Sequence, residues 1–275
     1  MTVIAVIFYK DGALVVSDSR GTIVQGNPYD PDPQGVRISH TDDQVKSMSS
    51  RSGDVVVSGA GEADTAIAMM HTLVDSEELL RNGDRTSMEE LRNRLESAAS
   101  VGGEAGALAA FKDGSGKVRA LMAQYGGMMP YVPMVFMNEI NANTAFGVDD
   151  TVPKYLDALT RKYCPDRSKT TLADAMALAF MLEDRYMHYR VEIEPGRRAV
   201  VVGGPMRMNV VSSDRNHGYA TLIDTKERDS LEGKSFDELS RHFQDRVAND
   251  MGQLLRIGVP EQTSQRKAVR GQTVS

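Results

Sequence analysis

The chain has 275 residues, 41% of them apolar and 25% charged, with a formal net charge of -6. That length suits one large domain with a substantial core, and the apolar and charged shares are those of a globular chain. No run approaches the roughly 20 apolar residues that span a bilayer, and the net negative charge weighs against nonspecific nucleic-acid binding.

Residues 2–8 read as a buried strand and 13–18 as a second, joined by Tyr9-Lys10-Asp11-Gly12 in a hairpin pattern. Residues 25–40 are rich in Pro, Gly and Asp and are expected to form a surface loop. Residues 44–49 and 54–58 predict another hairpin. From Glu62 to Leu80 the apolar residues Ala63, Ala66, Ile67, Met70, Leu73 and Val74 share one helical face. Thr86-Ser87-Met88-Glu89-Glu90 is a capping signature for a helix ending near Ala99. Strands are expected at 106–111, 118–123, 132–137 and 142–146, and helices at 150–163 and 171–189. Strands at 199–202, 208–212 and 220–223 follow, then a helix over 236–255. The domain is expected to fill residues 1–258, with a disordered polar tail over 259–275. Runs of hairpins alternating with helix pairs predict segregated layers, with sheets in the middle and helices outside.

Two features point to chemistry. Thr2 follows Met1, and a methionine before a small residue is normally removable; a free N-terminal threonine then carries both a hydroxyl nucleophile and an amine base. Asp18 closes the apolar run Ala13-Leu14-Val15-Val16-Ser17, an odd place for a bare charge. An unpaired buried carboxylate costs several kcal/mol, so a partner is expected.

Other chemistries find less support. Gly59-Ala60-Gly61-Glu62-Ala63-Asp64 follows a strand and opens a helix, as a dinucleotide-binding fingerprint does. Asp64 stands where the third glycine belongs, and no βαβ unit follows. Asp184 and His188 are an i,i+4 pair with ligand chemistry but no third ligand, so neither metal nor cofactor is expected. The single cysteine, Cys164, forms no internal disulfide and reads as an inert thiol. That cysteine usage and an N-terminus without a basic region or cleavage site point to the cytoplasm. Met69, Met70, Met176 and Met181 lie on apolar helical faces and fill core gaps.

With Thr2 leading, the sequence resembles the N-terminal-nucleophile hydrolases of the proteasome β-subunit type, including bacterial proteasome-like peptidases such as HslV. Three blocks carry the resemblance: Thr2 to Phe8 with Val15 to Thr22; Val45-Lys46; and Val55 to Asp64. The motifs cover about the first 65 residues and the layout about the first 225. The resemblance implies an α+β fold, a four-layer αββα sandwich of two antiparallel sheets flanked by helix pairs. It also implies site roles: Thr2 as nucleophile and base, Lys46 and Asp18 tuning it, and the Gly59 amide as oxyanion donor. Arg20 and Thr22 would support the site or contact substrate.

The family also places a serine, and an Asp with a Ser, around the threonine amine. Here Phe146 falls at the first position, with Thr144 and Asp149 nearby as substitutes. No Asp stands at the second, where Glu192 and Glu194 are the acidic residues, and a hairpin is inserted before Gly203-Gly204. The implied function is a threonine peptidase or amidohydrolase acting through an acyl-enzyme on peptide or protein substrates. Alternatives left open are an inactive proteasome-like scaffold and a transpeptidase or ligase on the same fold. A homo-oligomer, a ring among the options, and an unfoldase partner are further expectations of the resemblance.

Overall fold

The computed structural model describes residues 2–25, 37–42, 44, 46–100, 102–126, 135–147, 149–187, 190–194, 197–200, 202–213 and 219–257. Most of the Pro-rich loop, Val45, His188 and the polar tail lie outside the described residues.

Strands β1 (Ile4–Tyr9) and β2 (Gly12–Ser17) form the leading hairpin, and every residue in both is buried. Ala5, Ile7, Leu14 and Val16 turn towards helices, whereas Ile4, Val6, Phe8, Ala13 and Val15 turn towards a second sheet. A strand covered on both faces reads as a continuous apolar run, which is why residues 2–8 show no alternation.

The other strands of the described sheets are β5 (Ser47–Ser49), β6 (Val55–Gly61), β7 (Ala105–Lys112), β8 (Val118–Tyr125), β9 (Val135–Ile140), β10 (Thr144–Phe146), β13 (Met206–Ser212) and β14 (Tyr219–Ile223). One antiparallel sheet runs β10-β1-β2-β13-β14 and the other β5-β6-β7-β8-β9. Between them lie Ile4, Val6 and Phe8 against Val56, Leu108 and Ala110.

Helices α1 (Ala63–Asp75), α2 (Glu77–Asn82) and α3 (Arg85–Ala99) cover the outer face of the second sheet through Met69, Met70, Leu73, Leu91 and Leu95. Helices α4 (Thr151–Tyr163), α5 (Leu172–Met187) and α7 (Phe236–Ile257) cover the first. Together these make the four-layer αββα sandwich.

Several details differ from the sequence reading. The helix expected over 62–80 breaks at Ser76, whose N–H bonds Leu73 O, and a second short helix runs on to Gly83 in the left-handed region. Residues 37–40, read as loop, belong to β4 (Arg37–Thr41), which pairs with β3 (Gly21–Gln25) in a separate ribbon. The inserted hairpin before Gly203 is present as β11 (Arg190–Glu194) with β12 (Arg197–Val200). A short helix α6 (Thr225–Leu231), not foreseen, starts at Asp224, whose side chain accepts from Glu227 N. Its polar sequence hides two buried side chains, Arg228 and Leu231.

Candidate active site

Two strand registers assemble the site. In the β1–β2 hairpin Ile4 faces Ser17, which sets Val3 opposite Asp18, and Asp18 N donates to Val3 O at 3.3 Å. In β5–β6 Ser47 faces Ser58, which sets Lys46 opposite Gly59. Lys46 leaves the second sheet there and reaches the end of the first, where Thr2 and Asp18 lie.

The three side chains are almost sealed: Thr2 is 3% exposed, Asp18 0% and Lys46 9%. Lys46 Nζ donates to Thr2 Oγ1 at 2.7 Å, to Asp18 Oδ1 at 3.1 Å and to the Arg20 carbonyl. Thr2 Oγ1 donates to Asp18 Oδ1, which also accepts from Val3 N at 3.2 Å. The other carboxylate oxygen accepts from Arg20 N at 3.2 Å and Gly203 N at 3.3 Å. The partner demanded by the charge at the end of β2 is therefore Lys46, helped by three backbone amides.

Burial pushes the Asp18 carboxyl up, opposed by the Lys46 charge and by bonds from Lys46, Val3 and Gly203. Burial likewise pushes the Lys46 ammonium down, opposed by Asp18 and, more weakly, by Glu183 and Asp42. An ammonium aimed at a hydroxyl oxygen stabilises the alkoxide form of that hydroxyl. The arrangement thus suits a threonine oxygen that must lose a proton in order to attack.

The hydroxyl opens on a cavity of about 550 Å³. Its wall is apolar on one side, with Met48 from β5 and Ala66, Ile67 and Met70 from α1. Arg20, Gln44 and Glu62 make a polar rim. Glu62 is engaged as the cap of α1, accepting from Asp64 N and Thr65 N, which holds its carboxyl below the usual range.

Other predicted residues fall at different distances from this chemistry. Arg20 forms a two-pronged pair with Asp42 at 2.7 and 2.8 Å, so its guanidinium builds the wall while its carbonyl holds Lys46. Thr22 lies on β3 with its backbone opposite His40; its side chain lies outside the described residues. Gly59 lines the cavity, yet its N–H already donates to Lys46 O at 3.0 Å. By strand alternation the Gly61 amide points to the same edge, beyond the end of β5.

Phe146 packs between the sheets, and Asp149 accepts from Thr151 N and Thr151 Oγ1 at the start of α4 rather than serving Thr2. Glu192 and Glu194 belong to the β11–β12 ribbon, and their side chains lie outside the described residues.

Sequence reasoning missed three participants. Gly203, which the resemblance gave only as half of a glycine pair leading into a strand, supplies an amide to Asp18. Glu183 and Arg228 are buried behind the site. A usable signal existed for the first of that pair: Glu183 falls among the buried residues of α5, otherwise Ala, Met, Leu, Phe and Tyr.

No family model matches the chain, and no curated protein sequence does. Solved structures are similar to it. An Anbu (Gly-1) mutant from Hyphomicrobium sp. strain MC1 gives a TM-score of 0.54 at 13% identity, over 92% of this chain and 97% of the other. Anbu from the same strain gives 0.51 at 15%, over 91% and 97%. Anbu (ancestral beta-subunit) from Yersinia bercovieri gives 0.48 at 14%, over 94% and 98%.

The first two of these structures correct the resemblance to HslV-like peptidases, because Anbu is a proteasome-related family distinct from HslV. The motifs behind that resemblance stop near residue 65 and describe a site, whereas the structural likeness runs nearly the full length. At such low identity it shows the fold alone: a sandwich of two antiparallel sheets between helical layers, as in those Anbu structures.

Proposed function

We propose that the protein is an N-terminal-threonine amidohydrolase, a peptidase acting through an acyl-enzyme on Thr2 after removal of Met1. The observation that carries this reading is the Thr2 hydroxyl, held between Lys46 and Asp18 at the edge of a cavity. In the reaction Thr2 Oγ1 attacks a substrate carbonyl carbon while its proton passes to the freed α-amine, directly or through a water. The tetrahedral species collapses, the C–N bond breaks and the leaving amine takes that proton. Water then hydrolyses the Thr2 ester.

A free α-amine titrates near 7.7–8.0, so about a tenth or more is already a base at neutral pH. An oxyanion donor at Gly59 requires its amide to release Lys46 O, and Gly61 presents the next amide on that edge. The apolar wall of Met48, Ala66, Ile67 and Met70 favours an apolar substrate side chain beside the scissile bond.

The same reading carries a peptide or protein substrate, homo-oligomeric assembly and a cytoplasmic setting. Among the described residues no helix is long and apolar enough to cross a membrane. Light scattering that returned only monomer would reject the assembly. A second reading, an idle scaffold, is favoured by one feature: Phe146 packs in the core where the sequence resemblance expects a serine near the amine.

Two measurements separate the readings. Mass spectrometry should find the mature chain starting at an unblocked Thr2, and a peptide vinyl sulfone should label that residue. Labelling should vanish in Thr2→Ala and fall steeply in Lys46→Ala. A retained Met1, or labelling unchanged in Thr2→Ala, sinks the catalytic reading.

A further inference from the structure

Behind Asp18 lies a second pair of buried ionisable groups that the reaction above does not use. Glu183, on α5, is 1% exposed and Arg228, on α6, is 2% exposed. Arg228 Nη2 stands 3.3 Å from Glu183 Oε2. Yet neither Glu183 oxygen, nor Arg228 Nε or Nη2, makes a hydrogen bond among the described residues. A pair serving only to staple two helices would be expected to form the two-pronged contact at about 2.7–2.9 Å that Arg and carboxylate geometry allows. The short bond goes elsewhere: Arg228 Nη1 donates to Gly204 O at 2.6 Å.

Gly204 belongs to the turn that holds Asp18. Gly203 N donates to Asp18 Oδ2 at 3.3 Å, Ser19 N donates to Gly203 O at 3.2 Å, and Ser19 Oγ donates to Pro205 O at 2.6 Å. The turn has little intrinsic rigidity, because Gly204 lies in the left-handed region at φ +72° and glycine has the widest conformational freedom. On the site side it is gripped by Asp18 and Ser19. From behind, the guanidinium of Arg228 grips it.

We propose that Arg228, packed against Glu183, is a positioning residue for the Thr2 site, fixing the Gly203–Gly204 turn from which Asp18 is oriented. This rests on the reading of Thr2 as nucleophile. Without the bond to Gly204 O the turn relaxes, the Asp18 carboxylate loses a fixed donor, and the Lys46–Thr2 geometry loosens with it. A misplacement of about 1 Å in such a constellation costs on the order of a hundredfold in rate.

Glu183 adds a pH signature. The charged groups that face it are Arg228 from α6, Asp18 from the end of β2 and Lys46 from the start of β5. Burial, opposed by Arg228, pushes its carboxyl up to about 8. Below that pH it is neutral; above it, a negative charge appears behind Asp18 and Lys46.

The test measures the rate of Thr2 labelling by a peptide vinyl sulfone across pH, with circular dichroism and thermal melting as folding controls. Arg228→Met and Arg228→Lys should label at least about tenfold more slowly than wild type while remaining folded, since lysine cannot span Glu183 and Gly204 O together. The ratio of Glu183→Gln to wild-type rates should change as pH rises through about 8. Should Arg228→Met fail to fold, the other two variants decide. Folded Arg228 variants that label at the wild-type rate, with a Glu183→Gln profile parallel to wild type, overturn the proposal and leave the nucleophile standing. Wild type that resists labelling removes the nucleophile, and the positioning role falls with it.

Discussion

Replacing Asp18 with alanine is the sharpest perturbation of the site that does not touch Thr2. The carboxylate is fully buried and accepts from Lys46, from Thr2 and from the amides of Val3, Arg20 and Gly203. Its removal strands the Lys46 ammonium, whose side chain is 11% exposed, and leaves three amides without their acceptor. Breaking a buried pair by deleting one partner costs about 3–5 kcal/mol. The adjoining cavity lets water reach Lys46, so the lower end applies, about 3 kcal/mol, or about 6–12 °C in Tm for a chain of this size. Urea and thermal unfolding of Asp18→Ala, Lys46→Met and the double variant give the assay as a mutant cycle. The two losses should overlap, with the double variant more stable than the sum of the singles by about 2 kcal/mol. Additivity within about 0.5 kcal/mol, or a cost for Asp18→Ala below about 1 kcal/mol, would show that Asp18 and Lys46 do not act as a pair.

Two further outcomes follow from local geometry. Gly61 sits at φ +111°, and a Cβ there would meet Glu104 O at 2.4 Å and Ala105 Cα at 2.6 Å. Gly61→Ala should therefore destabilise by about 1–3 kcal/mol in a denaturant melt and slow Thr2 labelling by reshaping the cavity wall; a neutral effect on both would contradict this backbone. Burial, with the nearby Asp174 charge, pushes the Cys164 thiol up to about 11. Its thiolate is scarce below that pH, so native protein at neutral pH should react with a thiol reagent at least about tenfold more slowly than unfolded protein, and equal rates would refute the burial.

Much of the layered architecture was legible because each layer leaves its own mark on the chain. Continuous apolar runs at 2–8 and 13–17 follow from strands covered on both faces, and the helical faces around Met70 and Leu73 follow from one-sided burial. The hairpin register could also be inferred, since a short Gly-containing turn leaves few pairings. Less legible were elements held by tertiary contacts: β4, whose residues carry no strand pattern, and α6, whose polar sequence contains one buried arginine. The break at Ser76 escaped notice because the apolar spacing continues across it.

For the site, the residue types were already legible in the chain: a threonine behind Met1, a carboxylate closing an apolar strand, and a lysine before a short strand. Those choices are chemical and local, so they survive in a linear reading. The resemblance implied that Lys46 and Asp18 tune Thr2; the packed fold supplied the means, with Lys46 bridging two sheets to meet both, and it committed the Gly59 amide to Lys46 O. It alone set Gly203, Arg228 and Glu183 behind the carboxylate. These contacts join residues as far as 185 positions apart. Pairing at that distance is fixed by how sheets and helices stack, a property of the packed core rather than of any segment within it.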